Sequence, residues 1–186
     1  MELSQLQSMD DLTFDTFDSS VSGLRDAFNA AAEYAGNPEG WIFFHGNCGV
    51  GKTHLAVAIA NETLKQKQVG VYFRVVPDLL DQLRATFDPT SGVAYDERFQ
   101  QIRNAHLLVL DDLGTEQTTP WAREKLYQLI NHRYNEQLPT VITSNQDFGR
   151  IEQRMLSRLL DTRLSKYVFI EAEDFRLGPA RSKTRQ

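Results

Sequence analysis

Eight consecutive residues, Gly46-Asn47-Cys48-Gly49-Val50-Gly51-Lys52-Thr53, fill every fixed position of the pattern G-x-x-x-x-G-K-[ST]. Their types suit one task. Glycines let the backbone turn so that successive N–H groups point inward at phosphate oxygens. A helix opening directly after the loop brings its positive end to the same anion. A lysine placed like Lys52 reaches the β- and γ-phosphates, and a hydroxyl placed like that of Thr53 ligates magnesium. Residues 46–53 are therefore expected to bind the phosphates of a nucleoside triphosphate, with ATP and Mg2+ as the expected ligands. Cys48 reads as a small loop residue rather than a redox centre.

Three further segments carry chemistry. Leu107-Leu108-Val109-Leu110 is an apolar strand ending in Asp111-Asp112, about 55 residues after the loop. This is the Walker B arrangement: Asp111 would hold the magnesium, and Asp112 would polarise the attacking water. Asp is one methylene shorter than the glutamate often found at the second position. Thr140-Val141-Ile142-Thr143-Ser144-Asn145 ends a strand in an amide, which suits a residue that orients water or senses the γ-phosphate. Arg154-Met155-Leu156-Ser157-Arg158 places two arginines on a helix, where one could stabilise transition-state charge.

The elements around these residues alternate. A helix is expected over about 20–35, with Val21, Leu24, Phe28 and Ala31 on one side; Gly36 to Gly40 end it. Strands are expected at 41–45, 70–76, 107–110, 140–143 and 167–170. Helices are expected at 53–65, from Pro77 through Phe87, around Tyr95, Phe99 and Ile102, after Thr119-Pro120, and around Ile151, Met155 and Leu159. A loop is expected from Asp88 to Val93. Continuous apolar strands between helices indicate an α/β fold, a five-stranded mostly parallel sheet sandwiched between helices, which binds ligands beyond the carboxyl ends of its strands.

Composition sets outer bounds. The chain of 186 residues fits one domain, and no apolar run nears the ~20 residues that span a bilayer. One cysteine excludes an internal disulfide framework and is too few for a zinc site. No membrane partner and a cytoplasmic location are expected. The net charge of −5 is uneven: residues 1–40 carry eight acids and one base, and residues 150–186 carry nine bases and five acids. Residues 1–12 read as an N-terminal arm or linker remnant, 13–177 as the ATPase domain and 178–186 as a basic C-terminal tail.

Taken together, Thr13-Phe14-Asp15-Thr16-Phe17, Gly49 to Ala56, Leu110-Asp111-Asp112-Leu113-Gly114, Ile142 to Asn145 and Ser157-Arg158-Leu159 resemble the AAA+ ATPases. The likeness is nearest to bacterial replicative-helicase loaders of the DnaC and DnaI kind and to IstB-type transposition ATPases. It spans about residues 12–177. The resemblance implies a P-loop NTPase (AAA+) fold that binds and hydrolyses ATP. Gly46, Asn47, Cys48, Gly49, Val50, Gly51, Lys52, Thr53 and His54 would contact the nucleotide, with Phe14 and Phe17 near the adenine. Thr53 and Asp111 would hold the metal. Lys52, Asp112, Asn145 (sensor I), Arg158 (an arginine finger acting in trans, with Arg154 as the fallback) and Arg176 (sensor II) would be catalytic. The Pro77–Arg103 region matches an insertion that contacts single-stranded DNA. Partners implied are ATP, single-stranded DNA, a replicative DNA helicase and further copies of the chain in a head-to-tail oligomer or spiral. Two departures stand out. Only about twelve residues stand where loaders carry a helicase-binding domain. About 15 residues follow the last strand, so no C-terminal lid domain is expected. The same motifs fit an IstB-like transposition helper or a non-hydrolysing ATP-dependent adaptor.

Overall fold

The computed structural model describes residues 6–67, 69–85, 93–115 and 119–177. Five strands form the sheet: β1 (Trp41–Gly46), β2 (Val71–Val75), β3 (Leu107–Asp111), β4 (Thr140–Ser144) and β5 (Ser165–Ile170). Their order is β2-β3-β4-β1-β5, and every pairing is parallel. The expectation of a mostly parallel sheet is thus met by a wholly parallel one. Parallel neighbours need crossover connections, and the helices supply them. The helices are α1 (Arg25–Gly36), α2 (Lys52–Lys67), α3 (Val76–Ala85), α4 (Val93–Arg103), α5 (Pro120–Asn135) and α6 (Gln153–Leu159).

Strand alternation divides the core in two. On β1, Ile42 and Phe44 face a cluster with Leu55 and Ile59 of α2 and Ala27 and Ala31 of α1. Trp41 and Phe43 face the opposite cluster, with Leu79 and Leu83 of α3, Ile102 of α4, Leu126 and Ile130 of α5, and Met155 and Leu159 of α6. Burial on both faces explains why β3 and β4 are buried at all five positions. Thr119 caps α5 by accepting from the Ala122 N–H, with Pro120 in the first turn.

Three expectations shift. The first helix begins at Arg25, not near 20, because Gly23 adopts φ +86° against the Glu171 carbonyl. A Cβ there would lie 2.0 Å from that oxygen, so the chain turns before it winds. Residues 6–12, read as an arm, lie against the core: Leu6 is buried, and Asn61 donates to the carbonyls of Met9 and Leu12. Val93, placed in a loop by its sequence, opens α4; Phe87, residues 86–92 and the tail from 178 onward lie outside the described residues. Among the described residues, no helix is long and apolar enough to cross a membrane.

One buried cation ties the lower edge of the sheet. Arg133 of α5 is fully buried and donates to the carbonyls of Arg103, Ala105 and Pro139 and to the Thr140 hydroxyl. Burial pushes its pKa down to about 9, so it remains charged at neutral pH. Four acceptors from two segments, 103–105 and 139–140, are satisfied by one side chain. Arg133→Ala should therefore cost ~3 kcal/mol or more, since several buried acceptors lose their donor together. Urea denaturation checks this; a loss below ~1 kcal/mol would mean water replaces the guanidinium freely.

Candidate nucleotide site

The carboxyl ends of β1, β3 and β4 converge on a cavity of about 300 Å³. It is lined by residues from the loop after β1 (Cys48, Gly49, Gly51), the start of α2 (Lys52, Thr53, His54), Asp112, Asn145 and Arg176. A larger groove of about 640 Å³ between α5 and α6 holds none of these groups, so the chemistry assigns the smaller cavity as the candidate site.

The loop is held open by its glycines. Gly49 (φ +74°) and Gly51 (φ +90°) adopt left-handed backbone that L side chains avoid. A Cβ on Gly49 would lie 1.7 Å from the Asp174 carboxylate, and one on Gly51 would lie 2.7 Å from the Phe17 ring. The loop is thus clasped from both sides. The Phe175 N–H donates to the Gly49 carbonyl at 3.0 Å, which brings Arg176 to the rim. Lys52 is 5% exposed, and its ammonium donates to the Gly46 and Asn47 carbonyls at 3.0 and 2.6 Å. Burial lowers its pKa, with nearby Cys48 opposing.

Opposite the lysine, Asp111 is buried at the end of β3. It accepts from the Thr53 hydroxyl at 3.0–3.1 Å and from the Thr143 hydroxyl at 2.7 Å. The Thr143 oxygen also accepts the Asp112 N–H at 2.9 Å, and the Leu113 N–H donates to the Thr143 carbonyl. This lacing turns Asp112 into a left-handed conformation, φ +57°, that points it into the cavity. Asp is among the few non-glycine residues that tolerate that region. Burial raises the Asp111 pKa, opposed by the hydrogen bond from Thr143. The Asn145 amide donates to the Cys48 sulfur at 2.9 Å and its oxygen accepts from Gln146 at 2.8 Å, so it faces the loop.

The structure brings together Lys52, Thr53, His54, Asp111, Asp112, Asn145, Arg176 and the loop glycines. Val50 is buried in the core beneath the loop. Phe14 and Phe17 do not line the cavity; they pack on Phe28, and Phe17 also meets His54 edge-on at 5.1 Å. Leu12 lines the cavity instead, held there with Thr13, whose carbonyl accepts from His54 at 2.8 Å. Arg154 and Arg158 lie apart from the cavity, on α6 against α5. Sequence reasoning assigned no role to Thr143, Asp174 or Leu12. The strand and loop positions of the first two offered no signal, because only the folded register puts their oxygens beside Asp111 and Gly49.

Asp111 and Thr53 offer hard oxygen donors, and no cation neutralises the buried carboxylate by a direct ion pair among the described residues, which fits magnesium. The raised Asp111 pKa makes its ionised form costly: that group favours the fold below its unfolded value near 3.8 and loses this contribution as pH rises through the folded pKa. Asp111→Asn should therefore raise the melting temperature of the nucleotide-free chain at pH 7 by about 2–4 °C, while abolishing the further rise on adding MgATP. Thermal melts with and without MgATP check it; a lower melting temperature would show the carboxylate to be stabilising as it stands.

Comparison with known proteins places this geometry. The family model described as IstB-like ATP binding protein matches residues 6–177. The chain is similar to the replicative helicase loader DnaI of Bacillus subtilis (strain 168), 32% identical over 105 residues, covering 56% of this chain and 32% of that protein. It is also similar to the replicative helicase loader DnaC of Escherichia coli (strain K12), 26% identical over 152 residues, covering 80% and 61%. The chain thus spans about a third to three fifths of the length of these relatives. A crystal structure of the DnaC helicase loader superposes with a TM-score of 0.77 at 27% identity, covering 87% of this chain and 97% of that one. A DnaI structure does so at 0.70 and 26%, covering 90% and 92%. With its P-loop, parallel sheet and site in one place, this chain belongs to the IstB-like ATP-binding family, with the AAA+ fold of the DnaC and DnaI helicase loaders.

Proposed function

We propose that the chain is a helicase-loader-type ATPase that works in the cytoplasm, binding ATP with Mg2+, assembling head to tail and contacting single-stranded DNA and a replicative helicase. One observation carries the reading: Lys52, Asp111 with Thr53, Asp112, Asn145 and Arg176 surround one cavity at the carboxyl ends of parallel strands. The names of the relatives, helicase loaders at 26–32% identity, favour this over a role in transposition.

In this reading, the loop N–H groups and Lys52 hold the β- and γ-phosphates, and Thr53 and Asp111 hold the metal. Bound magnesium would supply Lewis-acid stabilisation of charge on the phosphate oxygens. Asp112, angled into the cavity, accepts a proton from the attacking water. Asn145 orients that water, and Arg176 stabilises charge from the same chain. Arg158 lies on α6, away from its own cavity, so it serves the site of an adjacent copy. An intact acid at Asp112 speaks against a purely non-hydrolysing adaptor. Head-to-tail contacts of this kind build rings or open helices.

Hydrolysis should then rise more steeply than linearly with protein concentration. Arg158→Ala should abolish turnover while leaving ATP affinity nearly unchanged, because a finger acts on charge that develops in the transition state. Mixing Arg158→Ala with Asp112→Asn subunits should restore part of the activity, since some interfaces join an intact acid to an intact arginine. Wild-type turnover in Arg158→Ala would remove this arginine from the mechanism and make Arg154 the next candidate.

For DNA, α3 of the Pro77–Arg103 region presents Arg84, whose guanidinium lies 5.2 Å over the Trp121 ring at the start of α5. Arg84→Ala with Trp121→Ala should weaken binding of a labelled oligonucleotide by roughly tenfold, the scale of one stacked base. Fluorescence anisotropy at low salt, with an ATP analogue, measures it. Wild type without binding in any nucleotide state counts against the DNA-contacting role.

A further inference from the structure

Arg158 is held. One Nη2 hydrogen goes to the Asn131 side-chain oxygen at 2.7 Å and the other to the Tyr127 hydroxyl at 3.3 Å. Its Nη1 donates to the Arg154 carbonyl at 2.8 Å. The guanidinium carbon lies 5.2 Å from the Tyr127 ring centre and 5.3 Å from that of Tyr134. Nε is buried with no acceptor. A guanidinium carries five N–H donors. Three are engaged and the fourth is enclosed, so one remains for another molecule. A phosphate is gripped best by two parallel donors.

We propose that Asn131 and Tyr127 of α5 form a holding site for Arg158, which the arginine must leave before it acts on the nucleotide of a neighbouring copy. The inference rests on the reading of Arg158 as a trans-acting arginine. The geometry suits a temporary hold. The unpaired Nε is a standing cost of the held position, because a buried donor without an acceptor forfeits its hydration. Arg154 lies over the same Tyr127 ring at 4.1 Å and is paired to Glu152 at 2.5 Å. When Arg158 leaves, that ring keeps a cation against it. Asn131 and Tyr127 are thus positioning residues: they touch neither nucleotide nor metal and set how readily Arg158 is delivered.

Two substitutions at one residue separate this from a structural strut. Asn131→Ala removes the acceptor and should raise turnover per subunit by roughly three- to tenfold, the scale of one ordinary net hydrogen bond. Asn131→Asp replaces it with a carboxylate, strengthens the hold and should lower turnover by several-fold. ATP affinity should not change in either. Tyr127→Phe, which keeps the ring and removes the hydroxyl, should raise turnover by a smaller factor and serves if an Asn131 variant fails to fold. In the Arg158→Ala background all three changes should be silent. Steady-state ATPase assays on the full chain, with calorimetric ATP affinities, decide the matter. If both Asn131 variants lower turnover, or neither moves it, while Arg158→Ala is inactive, the holding site is overturned and the trans-acting arginine stands. If Arg158→Ala turns over like wild type, or wild type does not turn over, both fall.

Discussion

The buried carboxylate of Asp111 is the constraint on which the site depends. It sits at the end of a strand covered on both faces, with the hydroxyl groups of Thr53 and Thr143 as its direct donors among the described residues. A negative charge so placed is stable only where the surroundings supply compensation. Each neighbouring feature answers that need. Thr53 comes from the first turn of α2, whose N-terminal end carries a partial positive charge. Lys52, one residue before, is directed into the same space by two loop carbonyls. Thr143 comes from the adjacent strand and uses its single oxygen twice, donating to Asp111 and accepting from Asp112.

The strand order follows from this requirement. Placing β4 between β1 and β3 puts Thr143 beside Asp111 and Asn145 beside the loop after β1. The register of β1 with β4 pairs Phe44 with Thr143 and His45 with Ser144, so both strands end level at the cavity. On the outer side, β5 carries the chain past Ile170 to Asp174, whose carboxylate fills the space that a side chain on Gly49 would need. The N-terminal segment closes the other flank through Phe17 against Gly51 and through the Thr13 carbonyl on His54. Four separated stretches of chain therefore meet at one loop of eight residues.

Much of this was legible in the residues. The phosphate-binding pattern, the apolar strand ending in Asp111-Asp112 and the strand ending at Asn145 are local, and local patterns survive without tertiary knowledge. The strand and helix alternation was equally plain, because each buried strand is a continuous apolar run. What was not legible depended on distant partners. The start of α1 is set by Gly23 meeting Glu171, nearly 150 residues away. Leu6 and Leu12 read as part of a polar arm, yet Asn61 fastens that segment to α2. Phe14 and Phe17, which the resemblance puts near the adenine, pack on Phe28, and Phe17 backs Gly51 of the loop. Arg158 read as a trans-acting arginine on a helix; only the folded structure shows the bed of Tyr127, Asn131 and Tyr134 beneath it.

The central claim is that Asp111, a buried carboxylate with no direct ion pair among the described residues, and the Lys52 ammonium belong to one site shaped for a metal-bound triphosphate. Calorimetric titration of ATP into the wild-type chain, with magnesium and again with a chelator, tests it directly. The account predicts one site per chain with magnesium present and a loss of affinity of at least about tenfold without it, the scale of one charge-assisted contact. Equal affinity in the two titrations, or no binding in either, would contradict it.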